Sequence, residues 1–147
     1  MTLEDAKKLL NIDRNLLEEE CSRHTTYFSE VAENYTDAVS RRDELKEEKD
    51  FINAKQFLIA KGGEKISDLV ATSRAEVSDE YKNVVKLYLK SRKEADEWSA
   101  MKEAWQQRAS MLKYLSELYI SGYFSISVRT PNSEYETIKQ RLEKGRE

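Results

Sequence analysis

The feature that most constrains the fold is a run from residue 14 to residue 61 that contains neither proline nor glycine. These two residues are the strongest helix breakers, so their absence favours one continuous helix. Within the run, potential seam positions step alternately by four and three residues, which is the heptad spacing of a coiled coil. These positions are Leu17, Cys21, His24, Phe28, Val31, Tyr35, Ala38, Arg42, Leu45, Lys49, Ile52, Gln56 and Ile59. The pattern predicts a helix on the order of 70 Å long.

Four seam positions are polar: His24, Arg42, Lys49 and Gln56. Buried polar residues in a seam can set the register or the number of partners. For Arg42 and Lys49 we favour another arrangement, in which the aliphatic stem covers the seam while the charged end reaches water.

Capping residues divide the rest of the chain. Thr2 caps a short helix that runs to about Leu10, and Asp13 is available as a second cap. Gly62-Gly63 ends the first long helix. A short helix is then expected from Ser67 to Val77.

A second long helix is predicted from a cap at Ser78 or Asp79 to about Tyr123, ended by Gly122. Its apolar face comprises Tyr81, Val84, Val85, Tyr88, Ala95, Trp98, Met101, Trp105, Leu112, Leu115 and Tyr119. Two helices of similar length joined by a compact connector favour an elongated, all-α antiparallel hairpin with coiled-coil packing. Pairing of the long helices between two chains remains open.

We therefore expect one helical domain over residues 1–147. Its parts are an N-terminal arm (1–61), a connector (62–78), the second long helix (79–123) and a C-terminal extension (124–147). In the extension, Phe124 to Val128 alternates between apolar and polar residues, as a short strand does, and Ser133 with Glu136 forms a capping box.

The sequence offers little for catalysis. It has one cysteine and one histidine, which excludes an internal disulfide and a zinc site of the usual kind. Cys21 and His24 lie on one helix face, but a helix poor in glycine rarely builds the enclosed pocket that such a pair needs. There is no phosphate-binding glycine loop. We predict that the protein is not an enzyme and needs no metal or cofactor.

The same features favour a soluble protein of the cytoplasm, or of the host cytoplasm if a phage encodes it. The N-terminus is acidic and lacks the signal-peptide pattern, and no apolar run approaches the roughly 20 residues of a membrane span.

Charge is distributed unevenly. Residues 1–60 hold nine Lys and Arg against fourteen Asp and Glu, whereas residues 81–93 hold five basic residues and no acid. Lys82, Lys86, Lys90 and Lys93 are spaced by four, four and three, which aligns them along one helix face. With nearby aromatic rings, such a stripe suits a single-stranded nucleic acid, because lysines neutralise phosphates and rings stack on bases.

The predicted nucleic-acid site joins this stripe to residues around the Gly-Gly turn. It comprises Lys55, Lys61, Lys65, Lys82, Lys86, Lys90, Arg92 and Lys93, with Phe57 and Tyr81 for stacking. The competing interpretation is a solvated face that balances the acidic arm through salt bridges between helices or between subunits.

Trp98 and Trp105 lie two helical turns apart and point the same way. A single hairpin is not expected to cover so many large aromatic rings, so self-association is predicted. The predicted interface residues are Leu17, Phe28, Val31, Tyr35, Trp98, Trp105, Leu112 and Tyr119.

Three segments of the second half resemble the C-terminal part of phage recombination mediators of the UvsY type. They are Ala95 to Trp98, Ala104 to Leu112, and Ile120 to Ile126, which reads ISGYFSI. The basic and aromatic residues from Lys55 to Lys65, ahead of a glycine-containing turn, are also similar. The resemblance covers roughly residues 50–127.

This resemblance implies a ring-forming homo-oligomer that binds single-stranded DNA. Such a protein helps to load a RecA-like recombinase by displacing single-strand-binding protein, and it performs no covalent chemistry. The alternative is a coiled-coil scaffold or adaptor with a protein partner and no affinity for nucleic acid.

Overall fold

The fold is an all-α antiparallel hairpin, as the sequence predicts. A computed structural model describes residues 1–62 and 65–122. Within these residues the helices are α1 (Leu3–Lys8), a 3₁₀ turn (Arg14–Leu16), α2 (Leu17–Gly62), α3 (Asp68–Glu76) and α4 (Asp79–Ile120). The predicted strand at 124–128 and the capping box at Ser133 and Glu136 lie outside the described residues.

The predicted helix caps are confirmed. The Thr2 hydroxyl accepts from the amide of Asp5, whose carboxylate in turn accepts from the amide of Thr2, so α1 opens with a complete capping box. Asp13, Ser67 and Ser78 accept backbone amides at the starts of the 3₁₀ turn, α3 and α4.

The second long helix ends at Ile120, three residues before the predicted boundary. Ser121 caps it, and Gly122 follows with a φ of 71°. That left-handed conformation is easily adopted by glycine, which explains why the helix stops there.

Helix α2 packs antiparallel along α4. Lys55 pairs with Glu80 near the connector, and the Cys21 thiol lies 3.8 Å from the Ser116 hydroxyl at the opposite end. The predicted seam faces α4, since all its positions except Cys21 and Ile59 are buried or half-buried. On α4 the buried residues are Val84, Ser91, Ala95, Trp98, Met101, Trp105, Arg108 and Leu112.

The basic residues of the seam adopt the arrangement we favoured. The Lys49 amine lies 4.9 Å from the centre of the Tyr88 ring and 3.2 Å from the Asp50 carboxylate. Arg42 pairs with Asp43 at 2.8 Å. Their stems therefore cover the seam while their charges remain paired at its edge.

The expectation that a single hairpin leaves the tryptophans uncovered is wrong. Trp105 is fully buried and packs against His24 and Tyr27, with ring centres 5.5 and 6.0 Å away. Trp98 is 7% exposed and belongs to the same core cluster as Ala6, because α1 folds back onto the hairpin. Both rings are thus covered within the chain, although the Trp105 Nε1 has no hydrogen-bond partner among the described residues, and their burial gives no argument for self-association.

Of the other six predicted interface residues, the hairpin covers five at least in part and leaves one exposed. Val31 and Leu112 are buried, and Leu17, Phe28 and Tyr35 are half-buried in the hairpin. Only Tyr119 of the eight is largely exposed. None of the helices formed by the described residues is both long and apolar enough to cross a membrane.

Candidate nucleic-acid interface

The lysine stripe, which we define as Lys82, Lys86, Lys90 and Lys93, lies on the solvent side of α4. All four side chains are exposed. Successive residues turn by about 100° around a helix, which places this stripe opposite the buried residues Val84 and Ala95. The capped, proline-free helix therefore presents Lys82 and Lys86 away from α2, whereas Lys90 and Lys93 also border a groove between α2 and α4.

Most of these charges lack an acidic partner. Lys93 lies 3.6 Å from the Glu97 carboxylate, one turn further along α4. Among residues 1–62 and 65–122, Lys82, Lys86, Lys90 and Arg92 form no ion pair within 4.0 Å. In this structure the stripe forms no salt bridge to the acidic helix α2 of the same chain, and pairing between subunits stays open.

The basic residues at the connector have different surroundings. The Lys55 amine lies 2.8 Å from the Glu80 carboxylate, and this contact holds the pKa of Glu80 below its ordinary value. Lys61 pairs with Asp68 and also lies 5.8 Å from the centre of the Phe57 ring. The structure thus gives Lys55 and Lys61 roles in joining α2 to α4 and α3, respectively.

Lys65 is exposed, whereas both predicted stacking residues are half-buried. Phe57 lies under Lys61, and Tyr81 lies in the first turn of α4, where its amide is bonded to Ser78. Neither ring is fully presented to solvent. The lysine stripe is therefore the most accessible part of the predicted site.

A groove beside the stripe was not predicted. It has a volume of about 630 Å³ and lies between α2 and α4, with the start of α1 along its border. Its apolar residues include Leu45 and Leu87, and its charged residues are three cations and two carboxylates: Arg41, Lys90, Lys93, Glu94 and Glu97. Three separate elements form it, so no local sequence signal identifies it.

A buried polar cluster was also missed. Arg108 is 4% exposed; it contacts His24 Nδ1 at 3.1 Å, pairs with Glu20, and lies 5.0 Å from the centre of the Trp105 ring. Burial, and then the charge of Arg108, lower the pKa of His24. The signal was present, because Arg108 continues the alternating spacing of Trp98, Met101, Trp105 and Leu112.

The surroundings of Cys21 and His24 differ from those of a catalytic pair. His24 faces Arg108 and stacks on Phe28 and Trp105, whereas Cys21 is exposed beside Ser116. No group of three or more His, Cys, Asp or Glu residues within the described ranges is placed to hold a metal ion.

Comparisons of the chain with protein-family models, with curated proteins and with solved structures gave no match. The resemblance to UvsY-type mediators therefore depends on the sequence segments alone.

Proposed function

We propose that this protein is a non-catalytic accessory factor that binds single-stranded DNA and helps to load a RecA-like recombinase. The observation that supports it best is the lysine stripe, which faces solvent along α4 and is largely without acidic partners in the described chain. The sequence resemblance to recombination mediators supplies the second part of the proposal.

The stripe suits an extended polyanion. Its four amines are distributed over 12 residues of α4, and the rise from the first to the last is about 16 Å at 1.5 Å per residue. An extended row of charges matches a strand of phosphates better than a single compact anion. Because binding to phosphates releases counterions, affinity should fall steeply with salt.

Charge reversal tests DNA binding directly. We expect Lys86→Glu with Lys90→Glu to abolish binding of a fluorescent oligo-dT strand at low salt. The matched control is Lys46→Glu with Lys113→Glu, which changes the net charge equally at exposed lysines outside the stripe. Equal loss in both variants, or wild-type binding that is insensitive to salt, would contradict the proposal.

Recombinase loading needs its own assay. We expect the protein to shorten the lag before a RecA-like recombinase hydrolyses ATP on DNA coated with single-strand-binding protein. The stripe variant should lose this effect and the matched control should keep it. DNA binding without any change in the lag would retain the binding function and reject the loading role.

The alternative is a scaffold that binds a protein partner. One observation favours it: Met111, Tyr114, Tyr119 and Ile120 are more than half exposed near the end of α4. In that case the stripe variant keeps its partner, and no single-stranded DNA is bound at any salt concentration.

A further inference from the structure

We infer that the groove beside the lysine stripe binds the bases of the single strand whose phosphates lie on the stripe. This inference depends on the proposed function and specifies where the bases go. The groove, about 630 Å³ in volume, combines leucine side chains that can contact bases with cations that can contact phosphates, and its three cations outnumber its two carboxylates, Glu94 and Glu97.

The groove is continuous with the stripe. Lys90 and Lys93 belong to both, so phosphates held by these amines leave the attached bases beside the apolar wall. Arg41 approaches from α2 and forms no ion pair in the described part of the chain, so a third cation is available on the opposite rim.

The apolar wall is open to solvent. Leu87 is 53% exposed although it lies in the groove, and Leu45 and Leu3 extend the same wall. A flat base placed against these side chains removes apolar surface from water, which is favourable for any base. Binding of this kind discriminates little between sequences, as expected for a general single-strand binder.

Trp98 provides a signal for occupancy of the groove. It lines this groove and keeps 7% of its surface exposed, whereas Trp105 is fully buried elsewhere in the core. A base in the groove therefore changes the emission of Trp98 and leaves that of Trp105 nearly constant.

Two leucines allow a matched test. Leu87 lines the groove and Leu89 does not, yet their exposed fractions are 53% and 54%. We expect Leu87→Ser to weaken oligo-dT binding about fivefold, which corresponds to about 1 kcal/mol of lost apolar contact, with an unchanged salt slope. Leu89→Ser should bind as the wild type does.

Fluorescence completes the experiment. Oligo-dT should change the tryptophan emission of the wild-type protein, and Trp98→Phe should abolish that change while anisotropy still reports binding. If the strand binds but Leu87→Ser is silent and the emission is constant, the groove inference is wrong and the proposed function stands. If no strand binds at low salt, both are rejected.

Discussion

At the scale of single residues, the least expected arrangement is a charged cluster inside the hairpin. Arg108 reaches Glu20 and His24 from α4, and its Nε has no acceptor among the described residues. Burying such a pair costs desolvation energy, so it is weak evidence for stability. A polar contact at a seam position does penalise shifted pairings of the two helices, and we interpret the cluster as a device that fixes their register.

The cluster predicts a pH dependence of stability. The folded-state pKa of His24 is lowered, so the unfolded chain binds its proton more readily. Stability is therefore fully present above the ordinary pKa of about 6.5 and declines as the pH falls below it. We expect the urea midpoint to drop more between pH 7.5 and 5.5 for the wild type than for His24→Gln.

This comparison is clean because His24 is the only histidine in the chain. The charged or titratable groups that face it are Glu20 from its own helix and Arg108 from α4, with Tyr27 close to the same tryptophan. Carboxylates titrate in both proteins and largely cancel in the difference. Identical pH profiles for the two proteins would show that protonation of His24 does not change the stability of the fold.

A second prediction concerns Glu97, whose carboxylate pairs with Lys93, the one lysine of the stripe that has an acidic partner among the described residues. Glu97→Gln frees Lys93 for a phosphate, so we expect tighter oligo-dT binding and a salt slope that is steeper by about 0.7, the value for one further contact to a single strand. Glu103→Gln removes the same charge from an exposed position of α4 and is the control. A slope equal in both variants would contradict the role of this pair.

At the scale of elements, α1 determines what the hairpin exposes. Six residues are too few for a stable isolated helix, so α1 depends on its capping box and on tertiary contacts. Ala6 is fully buried, and the N-terminal amine lies 3.6 Å from the Glu30 carboxylate. The segment helps to cover Trp98 and borders the groove.

Detaching α1 should therefore be visible at Trp98. Ala6→Glu places a charge in the core cluster, and we expect it to lower the free energy of unfolding by about 1–3 kcal/mol. Tryptophan emission should shift to the red and acrylamide should quench it more. Lys8→Glu introduces the same side chain at an exposed position of α1 and should change neither signal; an equal red shift there would contradict the covering role.

The elements also show what the sequence could specify. Long helices, their caps and the α2 seam follow from local rules, because spacing, Ser and Thr caps and glycine act within a few residues. The place where α1 packs does not, since it depends on contacts between Ala6 and residues far along the chain. The lysine stripe can be predicted because all its residues belong to one helix. The groove cannot, because Arg41 and Leu87 come from different helices.

Across the described hairpin, large exposed apolar side chains occur toward both ends. Near the connector, Phe51 and Leu58 are 67% and 68% exposed; at the other end, Tyr119 and Ile120 are 69% and 83% exposed. Tyr119 also lines a cavity of about 420 Å³ with Leu17, another residue of the predicted interface. Since the tryptophans are covered internally, surfaces such as these are what the described residues offer for self-association.

We expect self-association through the end that contains Tyr119. Tyr119→Ser with Ile120→Ser should reduce the native mass toward that of one chain, because large exposed apolar surfaces favour association and this change removes one. Phe51→Ser with Leu58→Ser removes a similarly exposed pair at the connector end and should leave the mass unchanged. Native mass measured with and without oligo-dT then separates assembly from strand binding. A wild-type protein that is monomeric in both conditions would exclude a ring, and DNA binding by that monomer would confine the interface to the lysine stripe and groove of one chain.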